Sequence, residues 1–250
     1  YASVVANPPY MGQKSMNGEL KQYVNAQYVL GKSDLCTVFV EYFPNITLPK
    51  GRFSYIIPPS WLFLSSLEKL REHLLENCTM DSLLHLSRGV FGADFGSVAN
   101  VMINNKANSA TTGAYYRLVE RTFQEFHHYH LQDLFEKSLA FPQFRFDFSQ
   151  YSKDITSVNH SETGKKIVYQ AIPQLNFSKI PGSPIAYWVG SKVVAVFEEC
   201  PKIKDITNPR KGMVTGDNQK FTRRWCEVDN RKFKAGMESR QQAIHSGGKW

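Results

Sequence analysis

Four consecutive residues, Asn7, Pro8, Pro9 and Tyr10, have the types and spacing best suited to chemistry in this sequence. They follow the apolar residues 4–6, which suit a buried β-strand, and neither proline has an N–H to continue a sheet ladder. The Asn7 side-chain oxygen and the Pro8 carbonyl, held rigid, can accept both hydrogens of an exocyclic amino group. The nitrogen lone pair then leaves conjugation and can attack an electrophile, while the Tyr10 ring offers a face for stacking a planar base.

These four residues directly follow the carboxyl end of a predicted strand. Ligands of open α/β sheets bind beyond the carboxyl ends of the strands, and the chemistry above is what methyl transfer to the amino nitrogen of a nucleobase requires. The same letters also fit a strand that ends in a rigid proline turn without a chemical role, and the sequence alone leaves this alternative open.

Composition and cysteine spacing limit the class of protein. A chain of 250 residues, 42% of them hydrophobic, can bury one sizeable core and a second small domain. We expect no membrane span, because no run of about 18 apolar residues occurs, and no signal peptide. The histidines at 127–130 fit a helix better than a metal site. We also expect reduced thiols in a cytoplasmic protein, because the cysteines are scattered without a C-x-x-C spacing. They are Cys36, Cys78, Cys200 and Cys226.

The positive charge is concentrated near the end of the sequence. Residues 202–250 hold 12 Lys and Arg against 5 Asp and Glu, of the 30 and 22 in the whole sequence. Concentrated positive charge suits a polyphosphate such as a nucleic acid, whose binding releases counterions. A solvated basic surface would have the same composition, so the charge agrees with a nucleic-acid partner without requiring one.

The pattern of predicted elements indicates an α/β sheet. Strands are predicted at residues 4–6, 52–57, 80–86 and 98–103, and helices at 19–30, 34–43 and 65–77. The third helix begins with Ser65-x-x-Glu68, a capping-box pattern, and a break is predicted from Pro44. Alternating strands and helices predict a sheet covered by helices, and the last two strands are close enough in sequence to pair antiparallel. Residues 106–113 indicate a polar linker, and residues 114–165 indicate short helical and irregular pieces.

The four residues after the first strand resemble the N-P-P-Y motif of amino-methyltransferases that use S-adenosylmethionine (SAM), above all adenine-N6 DNA methyltransferases. Four further stretches carry the resemblance: IIPPSWL at 56–62, GVFGADFGSV at 89–98, IPGSPIAYW at 180–188 and GMVTGDNQKF at 212–221. The first two resemble segments of gamma-type adenine methyltransferases. The last two resemble the PglX-type methyltransferases of BREX phage-defence systems, which are related to fused restriction–modification enzymes.

The resemblance implies an α/β fold: the C-terminal half of a SAM-dependent methyltransferase sheet (Rossmann-like), followed by a mixed region that opens a target-recognition domain. The implied divisions are residues 1–105 for the catalytic half-domain, 106–200 for a connecting mixed α/β region and 201–250 for the start of the basic target-recognition region. In this family the glycine-rich SAM loop lies before Tyr1. The cofactor-binding residues are therefore unknown, and we expect the chain to be a fragment that is inactive when isolated.

By motif, the resemblance assigns Asn7 and the Pro8 carbonyl to the target amine, with Pro9 as the second rigid residue and Tyr10 stacked on the adenine. The adenine must be flipped out, because its N6 atom cannot meet a methyl group inside a duplex. Phe91 is the implied second aromatic contact with the flipped base.

Four further residues are implied candidates. Phe95 is a weaker candidate for the stacking role, and core packing is the alternative for both phenylalanines. Lys220, Arg223 and Arg224 are donors suited to DNA phosphates or to guanine edges. A solvated turn is the alternative for each of these three basic residues.

The resulting hypothesis is site-specific, SAM-dependent methylation of adenine N6 in DNA, within a phage-defence or restriction–modification system. Two alternatives stay open: methylation of RNA or of a protein amide at the same residues, and a catalytically inactive DNA-binding fragment. The implied partners are double-stranded DNA and other proteins of the defence system, with no membrane.

Overall fold

The computed structural model describes residues 1–88, 90, 96–120, 125–207 and 242. The chain divides into two compact units, Tyr1–Cys200 and Pro201–Trp250. The strands of the described residues are β1 (Ser3–Ala6), β2 (Arg52–Ile57), β3 (Thr79–Leu86), β4 (Ser97–Ile103), β5 (Thr112–Arg117), β6 (Arg145–Phe146), β7 (Lys165–Lys166) and β8 (Val168–Pro173). The helices are α1 (Gly18–Gln27), α2 (Leu35–Ile46), α3 (Glu68–Asn77), α4 (His128–Ala140), α5 (Asn176–Lys179), α6 (Ser191–Glu199) and α7 (Ile203–Ile206).

Six strands form one mixed sheet in the order β1-β2-β4-β3-β5-β8, and β6 pairs with β7 separately. β1 is parallel to β2, and β3 is parallel to β5, whereas β4 runs antiparallel to both of its neighbours. The predicted α/β class and the antiparallel pairing of β3 with β4 are thus confirmed. The carboxyl ends of β1, β2, β3 and β5 therefore meet the amino end of β4 at one edge of the sheet, called the carboxyl edge below.

One face of the sheet is buried under α2 and α3. Phe53, Tyr55 and Ile57 alternate along β2 and are each at most 2% exposed, as the period of two in a strand requires. Phe43 of α2 packs against Phe53 and Tyr55, with ring centroids 6.2 and 6.1 Å away. Leu70 of α3 is fully buried in the same core, and burial of one such side chain is worth about 1.5–3 kcal/mol.

The third predicted helix forms, but its predicted capping box is wrong. A 3₁₀ turn over Ser65–Leu67 precedes α3, which begins at Glu68 with Leu67 in the N-cap position and no side-chain cap. Leu67 is 3% exposed. Burial of this leucine holds the tight turn in place and shifts the first α-helical residue beyond Ser65, so Ser65 cannot act as the cap.

The break predicted from Pro44 begins three residues later than expected, because α2 continues through this proline to Ile46. Phe43 on the preceding position is anchored in the core. The Asn104 side chain donates to the carbonyl of Pro44 at 2.9 Å and to that of Thr47 at 2.7 Å. These hydrogen bonds satisfy two carbonyls at the end of the helix. They offset the helical hydrogen bond that Pro44 cannot make, because proline has no N–H.

Strand β5 occupies a place in the sheet that the sequence did not predict. Its first residues fall within the predicted linker, and Tyr115 at its centre is fully buried. A β-carbon on Gly113 would lie 2.7 Å from the Met80 carbonyl oxygen. Glycine thus permits the close approach of β5 to β3, which local propensity would not suggest.

A second apolar cluster joins α4 to the strands near β5 and β8. Phe126, Leu134, Phe146 and Val158 are buried in it, and Phe135 of α4 packs edge-on against Tyr116 of β5, with centroids 5.1 Å apart. Within the described part of the chain, no helix combines the length and the apolar character needed to cross a membrane.

Candidate active site

The proline corner, residues 7–10, lies at the carboxyl edge, directly after β1 and beside the end of β2. Asn7 and Pro9 are exposed, Pro8 is buried and Tyr10 is half-buried. The buried Pro8 anchors the turn, while the exposed Asn7 side chain is accessible to a ligand at the edge where ligands bind in open α/β sheets.

Tyr10 connects the proline corner to the neighbouring strand. Its hydroxyl donates to the Ile56 carbonyl of β2 at 3.0 Å, and the Asn7 Oδ1 atom lies 3.2 Å from the same hydroxyl. The tyrosine also packs against the main core, beside Ala6. The structure therefore brings Asn7 and Tyr10 into direct contact, as a site built from both residues requires.

The Tyr10 hydroxyl is a neutral donor at neutral pH. Burial is the main reason that its pKa is raised above the ordinary value for tyrosine, and the nearby Cys36 thiol raises this pKa further. A hydrogen bond between the Ser97 side chain and Tyr10 opposes the rise in pKa. Ser97 is the first residue of β4 and is 3% exposed.

The segment after Tyr10 is fixed to the start of α2. The Met11 N–H donates to Asp34 Oδ1 at 3.1 Å, and the Leu35 N–H donates to the Met11 carbonyl at 2.9 Å. Asp34 also caps α2 by accepting from the Cys36 N–H at 3.0 Å. One carboxylate thus holds both the chain leaving the proline corner and the helix that packs beneath the sheet.

A cavity of about 210 Å³ lies between the start of α2 and the segment after β2. Its lining includes Asp34, Cys36, Ser60 and Trp61. Burial and the Asp34 carboxylate raise the pKa of the Cys36 thiol well above its ordinary value. This thiol is therefore protonated at neutral pH and is not an activated nucleophile.

Trp188, from the IPGSPIAYW stretch, also lies at the carboxyl edge. The guanidinium carbon of Arg117, the last residue of β5, lies 4.7 Å from the Trp188 ring centre. Phe63, which follows the 3₁₀ turn after β2, packs edge-on against Trp188 with centroids 6.0 Å apart. The sequence signalled Trp188 only through its motif, and it gave no signal for Arg117, whose partner depends on the pairing of β5.

Several predicted site residues cannot be placed. Phe91, Phe95, Lys220, Arg223 and Arg224 lie outside the described residues. Of the predicted site residues, the structure therefore places the four of the proline corner, and the roles assigned to all nine stay predictions.

The connections that follow β1 and β2 at the carboxyl edge contain paired prolines. At the carboxyl edge, β1 is followed by the proline corner, β2 by Pro58-Pro59 and β3 by Ser87-Arg88. Neither of the two proline-containing connections begins with a glycine-rich turn of the kind that lets the backbone approach a cofactor closely. The proline corner presents groups suited to the acceptor of a transferred group.

Residues 1–91, which contain the proline corner and the first three strands, match the model of the Eco57I restriction-modification methylase family. This part of the chain is therefore similar to restriction–modification methylases. More particularly, the chain is 33% identical over 239 residues to the adenine-specific methyltransferase BrxX of Escherichia coli O9:H4 (strain HS), a match that covers 94% of this chain. The predicted resemblance to PglX-type methyltransferases is thus confirmed.

A second relative agrees with the first. The adenine-specific methyltransferase PglX of Lacticaseibacillus casei (strain Zhang) is 32% identical over 254 residues, covering 100% of this chain. The chain spans 17% of the length of BrxX and 19% of that of PglX. Among solved structures, the type I restriction–modification methyltransferase subunit of Streptococcus thermophilus aligns with 74% of this chain and 37% of its own, at a TM-score of 0.43 and 12% identity.

Proposed function

We propose that the full-length protein containing this chain is a SAM-dependent enzyme that methylates adenine N6 at specific DNA sites, in a phage-defence or restriction–modification system. The observation that carries the proposal is the proline corner, in which an exposed Asn7 and the Pro8 carbonyl follow a strand at the carboxyl edge, beside Tyr10. The names of both relatives, adenine-specific methyltransferases, support adenine as the target.

In this mechanism Asn7 and Pro8 act on the target amine. The amine is a poor nucleophile while its lone pair is delocalised into the adenine ring. The Asn7 side-chain oxygen and the Pro8 carbonyl accept its two hydrogens and oppose that delocalisation. The interaction strengthens as the nitrogen becomes tetrahedral, so it stabilises the transition state more than the bound substrate.

The aromatic residues hold the flipped adenine. Tyr10 stacks on one face of the base, and Phe91, in the connection between β3 and β4, is the proposed second contact. Support for Phe91 comes from the motif and from the positions of the adjoining strand ends, because β3 ends and β4 begins at the carboxyl edge. Each stacking contact of this kind is worth about 1–3 kcal/mol per base.

The basic residues after about position 201 are proposed to start the target-recognition region. Lys220, Arg223 and Arg224 supply donors for phosphates or guanine edges. Their support is the charge of residues 202–250, which hold 12 Lys and Arg against 5 Asp and Glu. The proposed partners are double-stranded DNA and other proteins of the same defence system. The proposed location is the cytoplasm, because the proposed substrate is DNA.

The methyl donor is proposed to be SAM, which supplies an electrophilic methyl group when bound. Its binding residues are proposed to lie in the part of the full-length protein outside this chain, as the resemblance implies. The chain itself contributes the residues that orient the acceptor nitrogen, and we expect no methylation by residues 1–250 alone.

Sequencing of modified bases in the host genome tests this function. Strains would carry the intact gene, a deletion, Asn7→Ala, or Asn159→Ala as the matched control for removal of an exposed asparagine amide outside the corner. We expect N6-methyladenine at one recurrent sequence with the intact and Asn159→Ala genes, and none with the other two. Identical adenine methylation in the deletion strain would contradict the proposal, and methylated RNA or protein instead of DNA would move it to the alternative acceptor.

A further inference from the structure

The Arg117 guanidinium lies against the Trp188 ring at the carboxyl edge, and the fold uses few of its hydrogen-bond donors. Its carbon is 4.7 Å from the ring centre, and its Nη2 atom donates to the Glu120 carbonyl at 3.3 Å. Its Nε atom is buried without a hydrogen-bond partner among the described residues. By contrast, Arg71 of α3 donates to four backbone carbonyls. An arginine has five N–H donors, so Arg117 has donors left for a ligand.

The positive charge of Arg117 is not neutralised by a neighbouring acid. Among the described residues no carboxylate forms an ion pair with it, and the Glu120 carboxylate lies 3.9 Å from the Lys165 amine. Arg117 acts electrostatically on His85 and Tyr187, and both are neutral at pH 7. Burial lowers the pKa of His85 to about 4 and raises the pKa of Tyr187 above its ordinary value. The site therefore presents a net positive charge to an anion.

The Trp188 ring prepares the guanidinium for an anion with several oxygens. A guanidinium stacked on an indole is held in one plane by cation–π attraction, and the N–H groups of its rigid fork match the oxygens of a phosphate. Phe63 packs edge-on against Trp188, with centroids 6.0 Å apart, and so holds the ring from another side. Arg117 and Trp188 are both half-buried, so the pair is ordered by the fold and still accessible.

Arg117 shares the carboxyl edge with the proline corner but lies on a different strand. Four strand spacings separate the end of β5 from the end of β1 in the order β1-β2-β4-β3-β5. At about 4.8 Å per spacing, this separation is about 19 Å. Base pairs follow one another at about 3.4 Å along a duplex. A phosphate at Arg117 would therefore lie within about six base pairs of an adenine at the proline corner.

We propose that Arg117, supported by the Trp188 ring, binds a DNA backbone phosphate within about six base pairs of the target adenine. This inference rests on the proposed function and deepens it, because it assigns a duplex contact to the edge that holds the reacting base. Phosphate contacts carry no sequence information but fix the register of a protein on the duplex. Arg117 therefore acts on duplex affinity, whereas Asn7 acts on the rate of methyl transfer.

The test measures DNA binding by the full-length protein at several salt concentrations. The duplexes carry the methylation site found by genome sequencing in two unrelated flanking sequences. In a further series, one neutral methylphosphonate replaces a single phosphate at successive positions around the adenine. Arg117→Met keeps an apolar stem against the ring and removes the charge, and Arg117→Lys keeps the charge without the fork. Arg52→Met is the matched control, because Arg52 is exposed and begins β2 at the opposite edge of the sheet.

We expect Arg117→Met to bind both duplexes about tenfold more weakly, the effect of one charged hydrogen-bonding group. The slope of log affinity against log salt concentration should fall by about one unit. Arg117→Lys should keep this slope and lose less affinity, and Arg52→Met should match wild type. One methylphosphonate should weaken binding by wild type about tenfold and leave binding by Arg117→Met unchanged, because both changes remove the same contact. A merely structural role would not depend on one phosphate.

The outcomes separate this inference from the proposed function. If wild type methylates adenine but Arg117→Met keeps the affinity and salt slope of wild type, the phosphate contact falls and the proposed function stands. An equal loss in Arg52→Met, or losses that add in full at every methylphosphonate position, would also overturn the contact. A loss confined to one flanking sequence would assign Arg117 to a base edge, and weaker SAM binding without DNA would assign it to the cofactor carboxylate; either result overturns the inference. If wild type transfers no methyl group to DNA, the proposed function fails, and the inference fails with it.

Discussion

The Arg71 guanidinium donates two hydrogen bonds to the Gly182 carbonyl, at 2.7 and 3.2 Å, across 111 positions of the chain. Arg71 is 1% exposed, and it also donates to the carbonyls of Trp61 at 2.9 Å, Leu64 at 2.7 Å and Ser183 at 3.1 Å. The arginine thus joins the segment after β2 to the IPGSPIAYW stretch. Gly182 has φ +84°, a backbone conformation that favours glycine, and this turn directs its carbonyl toward the guanidinium.

Replacement of Arg71 should therefore loosen the IPGSPIAYW stretch. In Arg71→Met the four acceptor carbonyls lose a charged donor, and each hydrogen bond to a charged group contributes about 1.5–3 kcal/mol. We expect hydrogen exchange of the amides of residues 183–188 in the full-length protein to be faster by two or more orders of magnitude, at about 1.4 kcal/mol per factor of ten. Lys69→Met, at an exposed position of the same helix, is the control. Equal protection in both variants would show that the arginine does not hold this stretch.

A buried histidine gives the same region a dependence on pH. His85, near the end of β3, is 8% exposed, and its Nδ1 atom lies 3.1 Å from the Tyr187 hydroxyl. Burial, with a smaller effect of the positive Arg117, lowers the pKa of His85 from 6.5 to about 4. Between these values the unfolded chain binds a proton that the folded chain does not, so stability falls as pH decreases.

Above about pH 6.5, we expect the free energy of unfolding of this region to be independent of His85. Between pH 6.5 and pH 4, we expect protonation of His85 in the unfolded chain to lower that free energy by about 3 kcal/mol. His85→Gln should remove that part of the decline, since glutamine does not titrate. His128→Gln, at an exposed histidine, should leave it unchanged. Hydrogen exchange of the β3 amides, corrected for the intrinsic pH dependence of exchange, measures the effect. A decline of equal size in wild type and His85→Gln would assign the pH dependence to other groups.

The sequence predicted those parts of the fold that follow from local pattern. Residues 52–57 predicted a strand, and the asparagine and prolines after β1 predicted a rigid corner at the sheet edge. Strand β5 was missed because its place depends on pairing with β3, which the few apolar residues around Gly113 do not signal. The hydrogen bond from Tyr10 to the Ile56 carbonyl could not be predicted either, since a backbone acceptor leaves no mark on residue identity.

The basic residues near the end of the sequence should contact DNA. Lys220→Ala, Arg223→Ala and Arg224→Ala in the full-length protein should each weaken DNA binding. If a residue contacts a phosphate, its replacement would weaken binding equally for all DNA sequences. It would also reduce the slope of log affinity against log salt concentration by about one unit. If a residue contacts a base edge, its replacement would instead cost about 1–3 kcal/mol of discrimination between bases at one position of the site. Titrations at several salt concentrations distinguish the two, and unchanged affinity and salt slope in all three variants would exclude these residues from the interface.

The role of Asn7 predicts a loss of rate without a loss of DNA binding. Phosphate contacts set most of the affinity for a duplex, whereas Asn7 is proposed to contact only the reacting amine. Loss of one preorganised contact of this kind costs on the order of 10²–10³ in rate, so Asn7→Ala should reduce kcat by at least that factor. Tyr10→Ala should instead lose stacking worth about 1–3 kcal/mol, which appears in binding of the flipped base.

Asn7→Asp is the matched variant, because a carboxylate keeps an acceptor oxygen at nearly the same place while alanine removes it. It can accept from the target amine and from the Tyr10 hydroxyl, which lies 3.2 Å from Asn7 Oδ1 in the wild type. We therefore expect Asn7→Asp to retain more activity than Asn7→Ala in single-turnover methylation, with equal duplex affinity in both. If Asn7→Ala methylates adenine at a rate near that of wild type, the proline corner is a rigid turn with no part in the chemistry, and the proposed function loses the observation on which it rests.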